Sequence, residues 1–148
     1  MFKKIGLLAV FIIIALIVFG FVYQDFSVKE VDVGETRFMV PSEYQVQNIS
    51  NTLVKLTSGG TVYFINEKNS SDIKIFVNKY VNHKNKTENK SVEISHLAYN
   101  DSDIYKSVVS DNSSVIHYWF VKNGKGYEIY TGTANSNSDE LVLDIINS

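Results

Sequence analysis

Residues 115–132 read VIHYWFVKNGKGYEIYTG, and the Asn123-Gly124 pair near their centre decides the fold. Asn-Gly between two runs of aromatic and β-branched residues is the strongest short-range signal for a β-hairpin. Both residues tolerate the positive φ that a two-residue type I′ turn requires. Such a turn fixes the register, with Phe120 opposite Tyr127, Tyr118 opposite Ile129 and Trp119 opposite Glu128. Side chains alternate across a strand, so one face carries Ile116, Tyr118, Phe120, Tyr127 and Ile129. That is a core face. The other carries His117, Trp119, Val121 and Tyr130.

Working outward, TLVKLT (52–57) and TVYFIN (61–66) flank Ser58-Gly59-Gly60, a second hairpin-like break. In ETRFMV (35–40), Phe38 and Val40 alternate with Arg37 and Met39, and Pro41 closes the run. DIKIFVNKYV (72–81) reads as the longest strand, with Ile73, Ile75 and Val77 on one face. NHKNKTENKS (82–91) has no aliphatic side chain to bury and reads as an exposed loop. Val92 to Val109 stays open as strand, short helix or both, because SVEISHLAY (91–99) fits neither period.

At the C-terminus, Ser138 can cap a helix whose first turn holds Asp139 and Glu140, acids suited to the positive end of the helix dipole. Leu141, Val142, Ile145 and Ile146 fall on one apolar stripe. So short a helix must dock to persist. The expected seat is the second hairpin face, over Trp119 and Tyr130. The sum is an α+β domain over residues 35–148: an antiparallel sheet of about five to seven strands packed by one or two helices.

Ahead of it, Ile5 to Tyr23 carries no charged or strongly polar side chain. At about 1.5 Å per residue the run approaches the ~30 Å hydrocarbon thickness of a bilayer. Backbone amides in lipid must pair internally, so a helix is expected at 5–23. Lys3 and Lys4 precede it and Asp25 is the first charge after it, which predicts residues 1–4 in the cytoplasm and the rest outside. A cleavable signal would have a shorter apolar core and a small-x-small site, whereas IVFGFVYQD ends on bulky residues. The reading is an uncleaved signal-anchor, a juxtamembrane segment at 24–34 and an extracellular domain. A lipid anchor on cysteine is excluded, because the 148-residue chain has no cysteine.

The absence of cysteine also removes disulfides, thiolate metal sites and cysteine nucleophiles. A net charge of -2 argues against nucleic acid as partner. His83, His96 and His117 share no metal-ligand spacing, and Asp101 and Asp103 lack the Gly and bidentate Glu of a calcium loop. The glycines at 59–60 and 124–126 lie between strands, not before a helix, so no phosphate loop forms. No Gly-x-Ser-x-Gly elbow marks a nucleophile. No metal, cofactor or catalytic residue is therefore assigned. Six Asn-x-Ser/Thr triplets lie beyond the anchor, at Asn48, Asn69, Asn85, Asn89, Asn100 and Asn112, and are candidate N-glycosylation sites on exported loops. The aromatic face of His117, Trp119 and Tyr130 is the candidate recognition surface, for a surface protein or a glycan.

Gly34, Phe38, Val40, Pro41 and Tyr44, following an apolar anchor, form a Gly-x-x-x-Phe-x-Val-Pro-x-x-Tyr opening. With the Asn123–Lys125 hairpin and the Leu141–Ile146 helix, it resembles small membrane-anchored proteins of methanogenic archaea. Their ectodomains are similar to the PsbP-like α/β sandwich. Glu43 stands where such relatives often have Gly. The resemblance implies a fold and an anchor, with no activity or site residues. The function expected is a non-catalytic binding or assembly ectodomain at the cell membrane. A pilin-like structural subunit and a small extracellular hydrolase are the alternatives.

Overall fold

The computed structural model describes residues 27–99 and 102–148. The expected anchor at 5–23, the cytoplasmic residues 1–4 and the acceptor Asn100 lie outside them. Among the described residues no helix is long and apolar enough to cross a membrane.

Among the described residues, nine strands and two helices follow in chain order. They are β1 (Val28–Val33), β2 (Thr36–Pro41), β3 (Gln45–Ser50), β4 (Leu53–Ser58), β5 (Thr61–Glu67), α1 (Ile73–Thr87), β6 (Val92–Tyr99), β7 (Ser102–Val109), β8 (Asn112–Lys122), β9 (Lys125–Thr131) and α2 (Ser138–Ile146). Strands β3 to β9 form one sheet in the order β3-β4-β5-β9-β8-β7-β6, and every neighbouring pair is antiparallel. β1 and β2 form a separate hairpin. Its first strand lies within the stretch read as juxtamembrane, so the folded unit starts upstream of Glu35.

The β8–β9 hairpin has the register that Asn123-Gly124 dictates, from Lys122 opposite Lys125 to Trp119 opposite Glu128, with both turn residues at positive φ. Its first face is the main core. Tyr118, Phe120, Tyr127 and Ile129 are fully buried there beneath Val31, Val33, Phe38 and Val40 of the β1–β2 hairpin. Phe38 meets Phe120 and Tyr127 edge-on, at ring-centroid distances of 6.3 and 5.2 Å, the arrangement that ring quadrupoles favour.

Three expectations are corrected. Residues 73–87 are helix, not strand. Ile73, Phe76, Val77, Tyr80 and Val81 recur at the i, i+3, i+4, i+7, i+8 spacing of one helical face, and all five pack against the sheet. Ile75, which a strand would place beside Ile73 and Val77, is 56% exposed. The helix runs on through Asn82–Thr87, so the first six residues of the polar stretch 82–91 are its last turns and only the remainder is loop.

Secondly, α2 does not cover Trp119 and Tyr130. Val142, Ile145 and Ile146 pack into the main core with Tyr118 and Phe120, and α1 covers Trp119 from the opposite side. The apolar stripe of α2 required a seat but did not specify which face of the hairpin would provide it.

Thirdly, Ser138 does not cap α2. Asn137 occupies the N-cap, and Ser138 is buried. Its hydroxyl accepts from the Asn135 amide at 2.9 Å and shares a 2.6 Å hydrogen bond with the Tyr63 hydroxyl. The open stretch 92–109 is the β6–β7 hairpin.

The topology places α1. The chain leaves the sheet interior at β5, crosses one face as α1, starts again at the far edge as β6, and returns strand by strand until β9 pairs with β5. The crossover begins flat on β9, where the Lys68 amide donates to the Gly126 carbonyl at 2.8 Å. A Cβ at Gly126 would sit 2.2 Å from the Ser70 carbonyl oxygen. Backbone lies on both sides of that contact and cannot yield like a side chain. Gly126→Ala is therefore expected to cost about 3 kcal/mol, the upper end for an overpacked site. A urea titration followed by circular dichroism measures it, and a loss below about 1 kcal/mol would show that the crossover lifts away freely.

Candidate functional site

The face opposite the main core carries an aromatic row. Phe64 of β5 stacks on Tyr130 of β9 at 4.9 Å, Tyr130 on His117 of β8 at 5.3 Å, and His117 on Trp119 at 5.3 Å. The sequence-predicted face of His117, Trp119 and Tyr130 is thus one surface, as strand alternation requires. It is not open. Trp119 is 1% exposed beneath Ile73 and Val77, and the Tyr80 ring lies 4.3 Å from His117.

A carboxylate sits in this aromatic setting. Glu128, opposite Trp119 in the register, has 9% of its side chain exposed. One oxygen takes the Lys68 ammonium and the other takes Nδ1 of His117. Lys68 is delivered by the crossover that Gly126 admits. Burial pushes the Glu128 carboxyl up, but the His117 hydrogen bond and the charges of His117 and Lys68 outweigh it and hold the group below its ordinary value. The Tyr80 hydroxyl is buried and has no hydrogen-bond partner among the described residues. Burial, then the Glu128 and Glu88 carboxylates, push its pKa up to about 12, so it stays a neutral hydroxyl.

A cavity of about 420 Å³ opens beside this cluster. Trp119 and Glu128 form its floor, Phe76 and Tyr80 one wall, and Lys68, Lys79 and His83 complete it. Lys68 also stands 5.6 Å from the Phe76 ring centroid, within cation–π range. On the other side of α1 a cavity of about 600 Å³ is lined by residues including Lys74, Asp103, Tyr105 and Val121. The arrangement has cations and half-buried aromatic walls, and its one deep acid is already neutralised. Chemically, it can hold a ligand with an apolar face and negative charge.

The remaining predicted residues lie elsewhere. Asn48 is on the outer edge strand β3, Asn69 in the crossover, Asn85 on α1, Asn89 just after α1 and Asn112 at the start of β8, and all five are exposed. His83 lies 3.6 Å from Glu88 and His96 3.2 Å from Asp103, so the three histidines occupy three separate places. Lys68, Phe76, Tyr80 and Glu128 were missed as site residues. The available signals were the i, i+3, i+4 spacing within 73–81 and a lone acid between the core positions Tyr127 and Ile129.

The sequence matches no protein-family model and no curated protein. The fold is similar to the solution structure of cyanobacterial PsbP (CyanoP) from Synechocystis sp. PCC 6803. The alignment covers 82% of this chain and 89% of that one, with a TM-score of 0.50 and 10% identity. At that identity the likeness is one of fold: a PsbP-like antiparallel sheet with helices on its faces.

Proposed function

We propose that this chain is a single-pass surface protein whose outward domain binds a ligand at the cleft beneath α1 and carries out no reaction. The observation that carries the binding reading is the cavity of about 420 Å³ floored by Trp119 and Glu128. Against catalysis, Glu128 has each oxygen occupied by a cation or ring donor, the Tyr80 hydroxyl is sealed from solvent, and no serine lines this cavity. The anchor reading rests on the Ile5–Tyr23 run and the Lys3/Lys4 asymmetry, and on the resemblance to membrane-anchored archaeal proteins. The exposure of the five described acceptor asparagines is compatible with glycans on an exported domain.

Trp119 is the chain's sole tryptophan, so its emission reports on the cleft alone. Titrating the full chain in detergent with a panel of saccharides and organic acids should give a saturable change in that emission for at least one compound. A panel with no response, alongside a folded circular dichroism spectrum, would overturn the binding reading. Topology is tested separately by protease shaving of intact cells. Peptides from Lys55 to Lys125 should be released, and their protection until lysis would overturn the outward orientation.

A further inference from the structure

Residues 68–90 hold six of the chain's fourteen basic residues (Lys68, Lys74, Lys79, Lys84, Lys86 and Lys90) but only two of its sixteen acids, Asp72 and Glu88. This one segment is net positive on a chain of net charge -2. Both of its acids stand at the ends of α1, and no acid lies between Ile73 and Thr87. Glu88 is taken by Lys84 at 2.8 Å and Glu128 beneath by Lys68 and His117. Lys74, Lys79 and Lys86 have no ion-pair partner among the described residues.

A solvated lysine face would account for charge alone. Here the free lysines also border shaped spaces on both flanks of the helix. Lys79 lines the cavity walled by Phe76 and Tyr80, whose one acid is the paired Glu128, whereas Lys74 lines the one where Asp72 and Asp103 stand beside it. Half-buried aromatic rings offer flat apolar faces to the C–H faces of sugar rings, while ammonium groups beside them pair with carboxylates. Resting on the cleft reading above, we infer that the ligand is a short acidic oligosaccharide, with a uronate carboxylate on Lys79 and sugar rings against Phe76 and Tyr80. Nucleic acid fits less well, because the remainder of the chain carries fourteen acids that a long polyanion would have to skirt.

The test uses the full chain in detergent, with tetragalacturonate as probe and maltotetraose as its neutral counterpart, read by Trp119 emission. Tetragalacturonate should bind saturably and maltotetraose should not. Raising salt from about 50 to 200 mM should weaken binding several-fold, because exposed charges are screened over about a Debye length. The variant Lys79→Gln changes one exposed side chain and should keep the fold by circular dichroism. Its affinity for tetragalacturonate should fall at least tenfold. A response to maltotetraose equal to that of the acidic sugar would overturn the acidic-ligand inference while leaving the cleft in place. Equal affinity for a short oligothymidylate would overturn it in favour of a general polyanion surface. Silence of Trp119 toward tetragalacturonate, while another compound of the panel still shifts it, would overturn the inference and spare the cleft reading.

Discussion

Replacing Trp119 with alanine is expected to lower the unfolding free energy by about 3–5 kcal/mol, the range for deleting a buried tryptophan side chain. Trp119 heads the fully buried side chains by volume, and in its cluster only Ile73 and Val77 of α1 are also buried. The main core on the other face does not touch it, so the loss falls on the seating of α1. Two readings separate these effects. Urea unfolding followed by circular dichroism gives the global cost. Amide exchange across Ile73–Thr87 should accelerate far more than exchange in β1 and β2, which pack on the opposite face. Equal acceleration in both regions would show that the two faces of the sheet are not independent cores. A cost below about 1 kcal/mol would show that α1 does not depend on this side chain.

That division of the sheet into two faces is where sequence reading succeeded and then failed. Asn123-Gly124 fixed the pairing of the β8–β9 hairpin from Lys122–Lys125 out to Ile116–Thr131, because turn chemistry and strand alternation act locally. The failure at 72–81 has a physical reason. Ile73 and Val77 fit a period of two and a period of 3.6 equally well, and only Phe76, Tyr80 and Val81 distinguish them. Ile75 weighed toward the strand, yet it ended outside the packed face. With α1 misread, the uncovered side of the hairpin was given to α2 by default. The functional cluster suffered the same way. His117, Trp119 and Tyr130 are neighbours through strand pairing and were legible. Lys68 and Tyr80 reach Glu128 and His117 only through the crossover, across sequence separations of dozens of residues that no local pattern encodes.

The second large effect is expected at Glu128, the acid that holds this crossover to the sheet. Glu128→Ala should cost about 3 kcal/mol. Breaking a buried ion pair by removing one partner typically costs 3–5 kcal/mol, and Lys68, 18% exposed, can recover part of its hydration. Glu128→Gln keeps an acceptor for His117 and should cost less, about 1–2 kcal/mol. The double variant Lys68→Met/Glu128→Leu leaves no orphaned charge and should be more stable than Glu128→Ala, a non-additivity that a double-mutant cycle reads directly. The pH dependence has a defined sign. Glu128 sits below its ordinary value of 4.5 in the folded chain, so below that value the unfolded chain binds more protons. The stabilisation it gives is complete above the ordinary carboxylate range and is lost as pH falls through the folded value. Asp139 acts in the same direction. Burial raises it, but hydrogen bonds from Lys106 and Tyr118 outweigh that and hold it low. Urea midpoints measured from pH 7 down to roughly pH 3 should therefore fall for the native sequence, and fall less steeply for Glu128→Gln, which keeps the Asp139 part and that of Glu88, held low by its hydrogen bonds from Lys84. Superimposable pH profiles for the two proteins would mean that the Glu128 carboxylate contributes nothing to the acid limb, and that aromatic packing alone holds α1 to the sheet.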